Sequence, residues 1–133
     1  MARGKEEYAA RMNVLTGFGK DLARRAKSRC ELCSAAGEKL SVYEVPPERP
    51  VPEFERCVLL CSRCEEAFRD PRNFEGGDQW RCLGEAAWSE LAPVQVLAVR
   101  LLQRLGTSED WAREALDGLY LDEEVEEWVT EEG

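Results

Sequence analysis

The sequence predicts an α+β fold that is mainly α, in which a small four-cysteine module packs with helices on both its N- and C-terminal sides. Three observations carry this expectation. Two Cys-x2-Cys pairs, Cys30/Cys33 and Cys61/Cys64, bracket the segment LSVYEV, which alternates in polarity and is rich in β-formers. Before the first pair, apolar residues recur at three- and four-residue steps, the spacing of one helix face. Beyond residue 92 the same spacing returns between clear start and stop signals. The expected organisation is a basic helical segment over 1–29, the cysteine module over 30–82 and a helical region with an acidic tail over 83–133, together forming one compact unit.

In residues 5–28, Tyr8, Met12, Leu15, Phe18 and Leu22 share a face. Gly17 and Gly19 each cost about 1 kcal/mol relative to Ala inside a helix, which predicts a break near TGFG. KLSVYEV is expected to be a strand and RCVLL a second one. The PPERPVPEFE segment between them is a loop, because closely spaced prolines remove backbone donors and forbid regular structure. SRCEEAFRD begins a helix at the second cysteine pair, and Asp70-Pro71 ends it. Pro93 suits the first turn of the next helix and Gly106 its stop, with Val94, Leu97, Ala98, Leu101 and Leu105 on one face. Thr107 or Ser108 is expected to cap the following helix and Asp122 the last one, whose early acids suit a helix N-terminus.

The chemistry lies in the cysteines. A Cys-x2-Cys turn sets two thiolates on one side of a tight loop, and two such turns complete a tetrahedron. That donor set favours one structural zinc ion held by Cys30, Cys33, Cys61 and Cys64. The N-terminus has no apolar core of a signal peptide, and no apolar run approaches a membrane span. A cytoplasmic protein in a reducing compartment is therefore expected, where cysteines serve as metal ligands or buried thiols rather than disulfides. Cys57 and Cys82 fit neither pair and read as small buried apolar residues. The competing reading is a reactive thiol at either position.

The net charge of −9 is unevenly spread. Residues 1–29 carry eight Lys/Arg against three Asp/Glu, and residues 106–133 carry one Arg against eleven Asp/Glu. Neutralising phosphates needs a cationic face. Only Arg24, Arg25, Lys27 and Arg29 and their neighbours offer one, against an opposing overall charge. Their alternative is a solvated helix face. Trp80 and Trp88 have two readings as well. They are the apolar glue between module and helices, or, with Arg81 and Glu90, they present a groove to a protein partner.

The segment CELC…LSVYEVPP…VLLCSRCEEAF resembles the treble-clef frame of HNH-type nucleases. There the strand between the cysteine pairs carries a catalytic His. This chain has no His, and Tyr43 and Glu44 stand in its place. No imidazole is present to activate water or hold a catalytic metal. With WRCLGEAAWSE, PVQVLAVRLLQRL and LDGLYLDEE, the set resembles the PhnA-like proteins over about residues 20–128. That resemblance implies a zinc-binding module and no assigned reaction. Longer members resemble a zinc ribbon followed by a small β-domain, and no β-rich segment follows here. The expected role is a non-enzymatic binding or adaptor protein, with nucleic-acid binding through the basic helix as the alternative.

Overall fold

The computed structural model describes residues 2–131, leaving out the side chains of Ala2, Arg3 and Lys5. Helix α1 (Ala2–Ala26) runs unbroken through both glycines, so the expected break at TGFG is absent. Tertiary packing overrides the local cost. Leu15 and Leu22 are buried against Cys57 and Leu59, with Phe18 and Ala23 beside them. Gly19 lies at the crossing with the hairpin, where a Cβ would meet Val42 Cγ2 at 3.8 Å. The apolar cluster begins only at Leu15, so Tyr8 and Met12 of the predicted face remain exposed. The helix ends through two left-handed residues, Lys27 (φ 56°) and Ser28 (φ 59°). The Ser28 N–H reaches back to the Ala23 carbonyl at 2.8 Å, which satisfies an orphan acceptor and turns the chain towards Cys30.

Strand β1 (Leu40–Glu44) pairs antiparallel with β2 (Cys57–Cys61), with Leu40 opposite Cys61 and Glu44 opposite Cys57. Strand β2 is buried along its whole length because both its faces are covered. Cys57 and Leu59 face α1, whereas Val58 and Leu60 join the main core. Helix α2 (Ser62–Arg69) follows β2 directly and stops before Pro71. The loop between the strands ends in a short 3-10 turn, Phe54–Arg56. Two more such turns, Pro71–Asn73 and Asp78–Trp80, lead to α3 (Leu83–Ala86), α4 (Ala92–Leu105), α5 (Asp110–Asp117) and α6 (Glu123–Thr130).

Helix α4 is the centre of the main core. Val96, Val99 and Leu102 are buried as well as the predicted face, since α3, α5 and α6 pack on it from different sides. Neither Thr107 nor Ser108 caps α5. Both continue the turn that leaves α4, and the Thr107 hydroxyl donates to the Arg104 carbonyl at 2.9 Å. Glu109 takes the cap position instead, without a side-chain cap hydrogen bond. Asp122 does stand at the cap of α6, also without such a bond. The buried Arg100 of α4 closes the other end of α6. Its Nη2 donates to the Trp128 carbonyl at 2.5 Å and its Nε to that of Val129 at 3.3 Å. Its Nη1 donates to the Pro46 carbonyl at 2.8 Å, which also accepts from Trp128 Nε1 at 2.9 Å.

Two ionic contacts tie α1 to the hairpin and to the first cysteine turn. Arg11 pairs with Glu44, and Glu44 also accepts the Arg49 N–H. Arg25 grips Glu31 with two bonds, from Nε at 2.9 Å and Nη2 at 2.7 Å, and also donates to the Cys57 carbonyl. The Glu31 carboxylate is only 4% exposed and accepts the Leu59 N–H as well. Removing one partner of a buried pair strands the other charge, at a cost of about 3 kcal/mol. Arg25→Ala should therefore lower unfolding stability in urea by about that amount. Arg24→Ala, whose exposed contact with Asp21 is 3.4 Å long, should stay within about 0.5 kcal/mol of the parent.

Candidate metal centre

The first cysteine turn is built by local backbone bonds. The Ser34 N–H bonds the Cys30 carbonyl at 2.9 Å, and Ser34 takes a left-handed conformation (φ 66°). The Cys30 N–H bonds the Ala35 carbonyl, and Arg29 and Ala36 form an isolated bridge that closes the loop. The second turn exists because β2 runs straight into α2. Cys61 is both the last strand residue and the helix cap, and Cys64 lies in the first helical turn.

The four sulfurs of Cys30, Cys33, Cys61 and Cys64 all lie within 4.8 Å of one another. Zn–S bonds of ~2.3 Å imply sulfur–sulfur edges of about 3.8 Å in a tetrahedron. The Cys33–Cys61 separation is 3.7 Å, far beyond a disulfide bond and close to that edge. The thiols are free, and three of them are buried. Their proton affinities are strongly split. The hydrogen bond Cys30 accepts from Cys64 draws its thiol down to about 4, and the same bond and burial push Cys64 up. Burial lifts Cys33 to about 11. Sulfurs crowded this closely repel one another once ionised. A divalent cation relieves that repulsion, so the donor set fits one metal ion of the zinc type.

Tyr43 and Glu44, which the resemblance sets in place of a histidine, have structural partners, and so has Glu65, which follows Cys64. Tyr43 is buried, with its ring 5.7 Å from that of Phe68 and the Arg69 guanidinium 5.2 Å from its centre. Glu44 is held by Arg11, and Glu65 by Arg69 at 3.4 Å. The predicted partner surface divides. Trp80 is 3% exposed, donates from Nε1 to the Glu75 carbonyl at 2.9 Å and lies tilted against the Phe74 ring, so it belongs to the core and presents nothing to a partner. Trp88 is 56% exposed, and Glu90 is also exposed. Arg81 lies over the Trp111 ring and pairs with Asp78 at 3.2 Å.

Of the basic residues, Arg24, Lys27 and Arg29 are exposed. Arg25 is not available for phosphates, because Glu31 and the Cys57 carbonyl occupy its guanidinium. Sequence reasoning missed Glu31. The signal was an acid inside the first Cys-x2-Cys turn, a few residues after a run of arginines. Cys57 is fully buried and donates to the Glu53 carbonyl at 3.3 Å, and burial pushes its thiol up to about 12. Cys82 is only half-buried, less sequestered than expected, although burial raises its thiol too.

No family model matches the chain, and no solved structure matches it. It is 30% identical over 74 residues to the human (Homo sapiens) E3 SUMO-protein ligase ZNF451. The matched stretch is 52% of this chain and 6% of that protein, so the chain spans a small part of its relative's length. Among the described residues no helix is long and apolar enough to cross a membrane.

Two outcomes test this assignment of roles. Iodoacetamide at neutral pH should leave Cys57 unmodified in the native protein and label it only on unfolding, because a thiol with a raised pKa carries almost no thiolate there. Mass mapping of the labelled chain reads this directly. Trp80→Ala should cost about 3–5 kcal/mol, whereas Trp88→Ala should stay within about 0.5 kcal/mol on the same urea curves.

Proposed function

We propose that the chain is a PhnA-like protein in which one structural zinc ion stabilises a non-enzymatic binding module, with a protein as its partner. The observation that carries this is the closed set of four sulfurs within 4.8 Å of one another. Four thiolates fill a tetrahedral centre and leave no coordination position for water or substrate. The order of cysteine turn, hairpin, cysteine turn and helix supports the treble-clef reading. The structural partners of Tyr43, Glu44 and Glu65 support a frame of HNH type that runs no HNH chemistry. The similarity to a stretch of a human protein ligase supports a protein partner over a small molecule. A phosphonate connection rests on the family's name alone. Nucleic-acid binding is the weaker reading, since Arg25 is engaged internally and the overall charge opposes phosphates.

Elemental analysis of the purified protein should give one zinc per chain. A strong chelator should then abolish the native circular dichroism of the hairpin region, because so small a module buries too little to fold without its ion. Bound iron, no metal, or a fold indifferent to the chelator would overturn the proposal.

A further inference from the structure

Four thiolates around one divalent ion leave two negative charges uncompensated, and partial burial makes such charge costly. Three of the sulfurs, those of Cys30, Cys61 and Cys64, belong to the apolar core. Backbone N–H groups meet part of the need. Those of Leu32, Cys33 and Cys61 bond the Cys30 sulfur, and that of Ala35 bonds the Cys33 sulfur. Cys33 differs from the other three ligands in being only half-buried. It is the corner of the cluster that solvent and dissolved reagents reach.

Arg63 stands inside the second cysteine turn, between Cys61 and Cys64, in the first turn of α2. Its guanidinium lies 5.5 Å from the centre of the Trp80 ring, and that ring is buried in the same core as the three enclosed sulfurs. The aromatic face thus holds the cation near the cluster. The same guanidinium comes within hydrogen-bonding reach of the Cys33 sulfur and acts at longer range on those of Cys64 and Cys61. Glu66, Asp70 and Glu75 line a hollow together with Arg63, but its contacts are with the ring and the sulfur. Groups that bond a metal ligand from outside orient it and set how firmly the ion is kept.

We propose that Arg63 is the counter-charge of the four-sulfur centre, bonding its half-exposed ligand Cys33 and so retarding both loss of the ion and attack on that sulfur. Arg63 is a positioning residue here and adds no fifth ligand. This deepens the zinc reading above and rests on it. A cationic donor draws electron density from the thiolate it bonds, which makes the sulfur a weaker nucleophile and offsets the excess negative charge of the cluster. The Arg63 side chain is exposed, so it can be replaced without opening the core.

The zinc-loaded full chain is mixed with the chelator TPEN and, separately, with iodoacetamide. Both reagents are neutral, so the charge of Arg63 does not steer them. Arg63→Gln should speed zinc transfer to TPEN about tenfold, the usual size of the loss when a group that bonds a metal ligand is removed. Mass mapping should show Cys33 as the first of the four ligands to be alkylated, its S–C bond forming as iodide leaves, and faster in Arg63→Gln than in the parent. Arg63→Lys keeps the charge and should recover most of the loss. Arg24→Gln removes the same charge from the surface of α1 and should change neither rate. In the cobalt-substituted protein, the thiolate-to-cobalt charge-transfer band of Arg63→Gln should move to longer wavelength, a shift that a merely structural role would not produce. Loss of zinc outright from Arg63→Gln but not from Arg63→Lys is the same result in a stronger form. Equal rates in parent and Arg63→Gln, an unmoved band, Arg63→Lys behaving as Arg63→Gln, or alkylation that begins at a buried sulfur would overturn the proposal. Those failures in a parent that holds one zinc sink this inference alone, whereas a parent that holds no zinc sinks the reading beneath it.

Discussion

The buried carboxylate of Glu31 joins three parts of the chain that are distant in sequence. Arg25 holds it from α1, the Leu59 N–H holds it from β2, and its own backbone sits inside the first cysteine turn. The position of Cys30 and Cys33 relative to Cys61 depends on this junction, because Glu31 also pairs its N–H with the Leu59 carbonyl. An anion so placed is stable only with a full set of donors, and bidentate guanidinium contact supplies them with fixed geometry. The sulfur cluster is therefore approached from two sides. The hairpin and α2 deliver Cys61 and Cys64, and the Glu31 junction delivers the other pair. The same junction uses up the central cation of the basic segment, which turns a surface charge run into part of the frame.

The sequence announced most elements because their signals are local. Alternation marked the first strand and a short apolar run the second, the Asp70-Pro71 step marked the end of α2, and Pro93 and Gly106 marked the bounds of α4. The four sulfurs were legible from spacing, since two tight turns joined by a hairpin can hardly avoid meeting. What escaped was decided by distant partners. The two glycines of α1 weaken a helix in isolation, but burial of Leu15 and Leu22 outweighs a penalty of roughly 2 kcal/mol. Thr107 and Ser108 are good caps by type, yet the chain leaving α4 stays in its turn for two residues more. Two tryptophans eight positions apart looked alike, and only one reaches the core. Glu31 and Arg100 were missed because a buried charge is recognised by its full set of partners, and for both some of those lie far away along the chain.

Charge follows the same logic at the C-terminal end. The acids Glu123, Glu124 and Glu126 stand in the first turn of α6, where the helix dipole favours them. Most other acids of residues 106–131 are exposed, and α6 packs on α4 while α1 packs on the hairpin. The basic and acidic segments thus serve different layers of the molecule. Their opposite signs give the protein a polarity of charge between segments, which a charged partner senses through the field.

The clamp formed by Arg100 has a practical consequence for dissecting that polarity. Its guanidinium is enclosed and lodged on the carbonyls of Trp128, Val129 and Pro46. Trimming the chain back past residue 128 would take two of those acceptors away from a buried cation. The proline-rich loop would lose its indole anchor in the same cut. A shortened protein would fail for mechanical reasons and say nothing about its acidic surface. Charge reversal at Glu124 and Glu127, both exposed, keeps the keystone in place and isolates the electrostatic question.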